Sequence, residues 1–166
     1  MEKGKKIDFS IDGKERQWYP RHSPDLKKML FLEGDYDESN LILYDVESKE
    51  KKVVVTKEKK PVHPCWFSDG KTIVYCSLSD RQLHKLDISN GEDVILTDSP
   101  YFKLYPTVSS DGKRILFCQA KLGVRSGSVG GKFRLKWINI EEKKIYTIPL
   151  GKEPNYLSIV QAHWIK

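Results

Sequence analysis

The sequence predicts an all-β fold, a β-propeller of four-stranded antiparallel blades. Three observations predict it. A block of proline, aspartate and four apolar residues recurs three times at near-constant spacing. Each copy is followed by a second hairpin pattern, and no stretch carries a convincing helical period.

The blocks are YPRHSPDLKKMLFL from Tyr19, HPCWFSDGKTIVYC from His63 and YPTVSSDGKRILFC from Tyr105. Pro20, Pro64 and Pro106 are spaced 44 and then 42 residues apart, and Asp25, Asp69 and Asp111 repeat the same spacing. Four apolar residues follow each aspartate: Met29 to Leu32, Ile73 to Cys76 and Ile115 to Cys118. Two apolar runs joined by Asp-Gly form a hairpin, because glycine takes positive φ without a Cβ penalty. This supplies strands a and b of each unit, with turns at Asp69-Gly70 and Asp111-Gly112; Leu26 replaces the glycine in the first copy, so that turn is expected to differ in detail.

Strands c and d come next. NLILYDVESKE (40–50), QLHKLDISNGED (82–93) and RLKWINIEEKK (134–144) align on Asp45, Asp87 and Asn139, and Asn90-Gly91 reads as a two-residue turn. VVVT (53–56), VILT (94–97) and IYTIPL (145–150) close the units. The repeats then run about 19–62, 63–104 and 105–152.

The two ends complement each other. IDFSIDGKERQW (7–18) reads as a c–d half with its turn at Asp12-Gly13, and EPNYLSIVQAHWIK (153–166) as an a–b half. Residues 1–18 plus 153–166 therefore make a closing blade, and 1–166 a single domain of four blades, a closure that removes open sheet edges. An excised piece of a larger propeller and an eight-bladed ring built by two chains are the competing arrangements.

Trp66-Phe67-Ser68-Asp69-Gly70-Lys71, then IVYCS and LDISNGEDVILT, resemble the WD-repeat-like unit of TolB-type β-propellers. His22-Ser23-Pro24-Asp25 and Val108-Ser109-Ser110-Asp111-Gly112-Lys113 match the same pattern, so the resemblance covers about residues 19–150. It implies the fold and leaves the function open, since one propeller frame serves many activities.

Composition narrows the partners. The chain has 166 residues, with 29 Lys and Arg against 23 Asp and Glu, a formal charge of +6. The lysines are scattered beside glutamates, as on a solvated surface with guarded strand edges, rather than gathered into a nucleic-acid patch. No apolar run is long enough to insert in a membrane. No signal peptide opens MEKGKKIDF, so the chain is expected to be cytoplasmic as given, or periplasmic or extracellular after removal of a leader. Cys65, Cys76 and Cys118 read as small buried hydrophobes rather than disulfide or metal partners.

The d–a loops of a propeller share one rim of the central channel. RQWYPRH, TKEKKPVHP, TDSPYFKLYP and GKEPNY would bring Trp18, Tyr19, His22, His63, Tyr101, Phe102, Tyr105 and Tyr156 to that rim, and the insertion 121–132 would add Arg125. Planar side chains with a polar handle suit a protein or carbohydrate ligand. Trp66 sits at the repeat's usual aromatic place and reads as core. Glu33, Asp35 and Asp37 read as a solvated acidic loop, and the insertion around Gly130-Gly131-Lys132 as a flexible loop without the residues of a phosphate loop. The expected function is a non-enzymatic binding module with no catalytic residue, cofactor or metal, a monomer with a homodimer as the alternative. The second reading is a metal-dependent lyase or hydrolase acting on oligosaccharides, similar to propeller lyases. It must rely on His22 and His63 at the mouth, short of the three protein ligands a catalytic metal wants.

Overall fold

The computed structural model describes residues 15–35, 38–120, 124–125, 128–129 and 133–149. It holds three four-stranded antiparallel sheets, each in the order a-b-c-d of the sequence repeat. Sheet one contains β1 (Gln17–His22), β2 (Lys28–Asp35), β3 (Glu38–Asp45) and β4 (Lys51–Val55). A 3-10 turn, Lys57–Lys59, leads to sheet two, with β5 (Pro61–Trp66), β6 (Thr72–Ser77), β7 (Leu83–Asp87) and β8 (Asp93–Ile95). Sheet three contains β9 (Phe102–Val108), β10 (Arg114–Ala120), β13 (Phe133–Asn139) and β14 (Lys144–Thr147). Between β10 and β13, β11 (Val124–Arg125) pairs with β12 (Ser128–Val129).

The b strands explain why the sheets stack. Successive strand residues point to opposite faces, and in β2, β6 and β10 both faces are apolar. Leu30, Leu32 and Leu41 of sheet one meet Trp66, Ile73 and Tyr75 of sheet two in one core. Phe67, Val74 and Cys76 on the other face of sheet two meet Ile115, Phe117 and Ile138 of sheet three. The outer faces are apolar as well: Met29, Phe31 and Ile42 on sheet one, and Leu104, Leu116, Cys118 and Leu135 on sheet three. Emptying a fully buried position such as Leu30 would cost about 2–5 kcal/mol.

The turns follow one rule with a different detail from the sequence reading. Gly70 and Gly112 have φ of 65° and 69°, and Leu26 takes the same left-handed conformation at 61°. The same backbone bond closes all three turns, from Leu26 N–H to Ser23 O, from Gly70 N–H to Phe67 O and from Gly112 N–H to Ser109 O. The first turn thus keeps the shape of the others without its glycine. The β7–β8 connection is longer than a two-residue turn: Asp87 N–H donates to Glu92 O, and Gly91 N–H to Asp87 O. The reason lies in the aligned side chain. Asp87 Oδ1 accepts from Ser89 N–H, as Asp45 Oδ1 does from Glu47 and Ser48 and Asn139 Oδ1 from Glu141 and Glu142. An Asx turn of this kind fixes four loop residues rather than two.

All three cysteines are free thiols, with Cys76 and Cys118 buried. Glu33 lies in β2 and accepts from Lys51 Nζ at 2.6 Å and Gln17 Nε2 at 2.8 Å, so it belongs to the sheet and not to a loop. Strand β1 begins at Gln17, which assigns Trp18 to the first sheet rather than to the closing blade. The expected closing strands, with Asp12-Gly13 and Tyr156, lie outside the described residues.

Candidate functional site

The repeated proline does not end a strand; it sits inside a bulge. In sheet one, Trp18 pairs with Leu32 and Arg21 with Leu30, so Tyr19-Pro20 carry one residue too many for the ladder. Val62 pairs with Cys76 and Cys65 with Val74, which places His63-Pro64 in the second bulge. Leu104 pairs with Cys118 and Thr107 with Leu116, leaving Tyr105-Pro106 in the third. A bulge tolerates the missing proline N–H and re-aims the neighbouring side chain. The re-aimed residues are Tyr19, His63 and Tyr105, with φ of 52°, 51° and 54°. Non-glycine residues held there cost of order 1 kcal/mol each, a cost kept only where surrounding structure enforces it.

The bulges bring the three rings together. Strand β1 lies against β5 and β5 against β9, so the a strands are neighbours across the sheets. The Tyr19 and His63 centroids are 5.0 Å apart at 66°, an edge-on contact, and those of His63 and Tyr105 are 4.0 Å apart at 41°. One ring from each sheet thus forms a continuous row. His63 is 9% exposed, and its Nδ1 has no hydrogen-bond partner. Burial, with the nearby Arg21 cation second, lowers its pKa to about 4, so the ring is neutral at neutral pH.

Arg21 stands beside this row. It is opposite Leu30 in the ladder, hence on the face turned toward sheet two. Its carbonyl accepts from the Trp66 indole N–H at 2.9 Å, which fastens β1 to sheet two, and its guanidinium donates to Pro20 O at 3.1 Å. The side chain is exposed and makes no ion pair among the described residues. The sequence reading passed over Arg21. The signal was available: the residue after the proline is Cys65 and Thr107 in the other repeats, so a cation there answers no shared packing need.

The remaining rim residues separate from the row. Trp18 is half-buried against the core between sheets one and two, and His22 is exposed opposite Met29. Phe102 lies opposite Ala120 with the Arg81 guanidinium 5.2 Å from its ring centroid. Tyr101 is half-buried immediately before β9, and Arg125 belongs to β11. Most of these positions were expected in loops. Trp18, His22, Phe102 and Arg125 are in strands, the first two because the bulge lets β1 stay paired through its proline.

Two buried polar networks lie elsewhere. Lys103, 1% exposed, donates to Gln82 Oε1 at 2.7 Å and to Ser99 O at 2.8 Å, tying sheet three to sheet two. Burial lowers its pKa to about 8. His84 stacks on Tyr75 with centroids 4.9 Å apart, its ring nitrogens 2.8 Å from Asp80 Oδ2 and 3.0 Å from Asp93 Oδ1. Tyr75 donates to Asp93 Oδ2 at 2.7 Å, so both His84 nitrogens are engaged in bracing sheet two. Among the described residues, no three His, Cys, Asp or Glu side chains converge as a metal set.

No family model matches the chain. A protein of Bacillus subtilis strain 168, the uncharacterized peptidase YuxL, is 32% identical over 108 residues, covering 58% of this chain and 16% of that protein. The Tol-Pal system protein TolB of Francisella tularensis is 32% identical over 84 residues, 49% of this chain and 19% of its own length. A TolB-assigned structure from Agrobacterium tumefaciens superposes with a TM-score of 0.69 at 19% identity, covering 80% of this chain and 48% of that one. The chain is a TolB-like β-propeller in fold. Other propellers are similar too: an oligogalacturonate lyase in complex with manganese gives a TM-score of 0.60 at 13% identity, covering 76% of this chain and 37% of that one. The TolB-like chain spans less than a fifth of the length of the two curated relatives.

Proposed function

We propose that this TolB-like propeller is a non-enzymatic binding module that engages a protein ligand where its a strands meet. The row of Tyr19, His63 and Tyr105 carries this reading, since three repeats each hold a non-glycine residue at positive φ to present one ring. Rigid aromatic groups with polar edges bind with little loss of side-chain freedom. The test is to pan a displayed random-peptide library on the wild-type protein and on a Tyr19→Ser/Tyr105→Ser variant of comparable melting temperature. Peptides enriched on the wild type and lost on the variant support the module; equal enrichment on both overturns it, and competition by an oligosaccharide instead would make the ligand a glycan.

The same reading includes closure into a four-bladed ring by residues 1–16 and 153–166. Apolar outer faces on sheets one and three support it, because each needs cover on the side away from sheet two.

A further inference from the structure

We propose that Arg21 anchors a carboxylate of the ligand at the ring row, so that the mouth selects an acidic peptide segment; this rests on the binding-module reading above. The geometry leaves the guanidinium available. Its backbone is pinned by the Trp66 indole, and its place opposite Leu30 in the ladder turns the side chain toward sheet two, where His63 stands. Arg21 offers five donors in a planar fork and spends one on Pro20 O, which leaves a fork free for a planar bidentate acceptor.

Like Arg81 and Lys85, Arg21 makes no ion pair with a carboxylate among the described residues. Beside it, His63 is nine-tenths buried with Nδ1 unpartnered, so the site also holds an unsatisfied polar group. A neutral imidazole contributes hydrogen bonding without a second positive charge. A carboxylate there meets an exposed guanidinium beside a buried imidazole, and a bidentate charge-assisted pair is stronger than a neutral hydrogen bond. Cys65 and Thr107 at the matching positions show that the repeat itself does not call for a guanidinium.

The test uses three short peptides on the full chain, followed by NMR at Arg21 Nε–Hε and the His63 ring: acetyl-Gly-Glu-Gly-amide, acetyl-Gly-Gly-Gly with a free carboxyl end, and acetyl-Gly-Gln-Gly-amide. At least one acidic peptide should give saturable shifts at both residues and bind about tenfold more tightly than the glutamine peptide, a difference that Arg21→Gln removes and added salt reduces. The two acids distinguish a side-chain carboxylate from a chain end. Equal shifts of the ring row by all three peptides, unchanged in Arg21→Gln, would overturn the carboxylate assignment while leaving the mouth as the binding site. Shifts confined to the outer d strands, or no saturable shift at Arg21, would overturn the assignment, and the former would remove the mouth reading as well.

Discussion

The ring of His63 lies 4.0 Å from that of Tyr105, centroid to centroid, although the two residues belong to different sheets and each sits at positive φ before a proline. Substituting His63→Tyr would give sheet two the ring its neighbours carry. The buried imidazole makes the fold acid-sensitive. With a folded pKa of about 4 and an ordinary value of 6.5, the unfolded chain binds more protons between these limits. Stability therefore falls as pH drops from 6.5 toward 4, by up to about 3 kcal/mol. Denaturant titrations at pH 7 and near pH 4 should show a smaller loss in His63→Tyr than in the wild type. Equal losses would mean that His63 does not stay neutral in the fold.

Lys103 acts at the other end of the scale. Its pKa in the fold is about 8 against 10.5, so the unfolded chain holds a proton there that the folded one has released. The sign is a gain in stability as pH rises through that window. Buried Tyr75 and Cys118, both with raised pKa values, act in the opposite direction, so the comparison must be with Lys103→Met. The stability difference, wild type minus variant, should grow between pH 8 and 10. A constant difference would show that burial does not control the Lys103 proton.

Leu26 occupies a glycine conformation, with φ of 61°, and its side chain is 67% exposed. Leu26→Gly removes a left-handed strain without emptying any core, and thermal unfolding should register a gain of up to about 1 kcal/mol. A loss of stability would mean that the leucine packs against something that outweighs its backbone strain.

These three residues show where the sequence was legible. Period and turn chemistry are local, so the four-stranded units and the Asp-Gly turns follow from them, while the core role of Trp66 follows from the resemblance to the TolB-type repeat. A bulge is not local. It depends on how Val62 and Cys65 register against Cys76 and Val74, and that pairing is visible only once two strands are side by side. Hence Tyr19, His63 and Tyr105 read as loop residues, and Arg21, whose meaning depends on sheet two, was not read at all. Leu26 shows the converse, a turn held by its neighbours' hydrogen bonds against the preference of its own residue.

Closure of the ring is tested at the chain ends. The proposal pairs residues 6–16 with the strands near 156–165, placing Phe9 and Ile11 in one blade with Trp164 and Ile165. A lone two-stranded hairpin is marginal in water, so neither half should be stable without the other. The energetic reason lies in the described sheets, where Met29 and Phe31 on one side and Leu116 and Cys118 on the other turn apolar faces away from sheet two. Deleting residues 1–16 should therefore lower the melting temperature of the whole fold and promote association through the uncovered faces. A truncated chain that stayed monomeric with an unchanged melting temperature would sink the closure and favour a piece of a larger propeller. An intact protein that runs as a dimer in light scattering, and loses that dimer on deletion of 1–16, would instead establish exchange of the N-terminal strands between two chains in an eight-bladed ring.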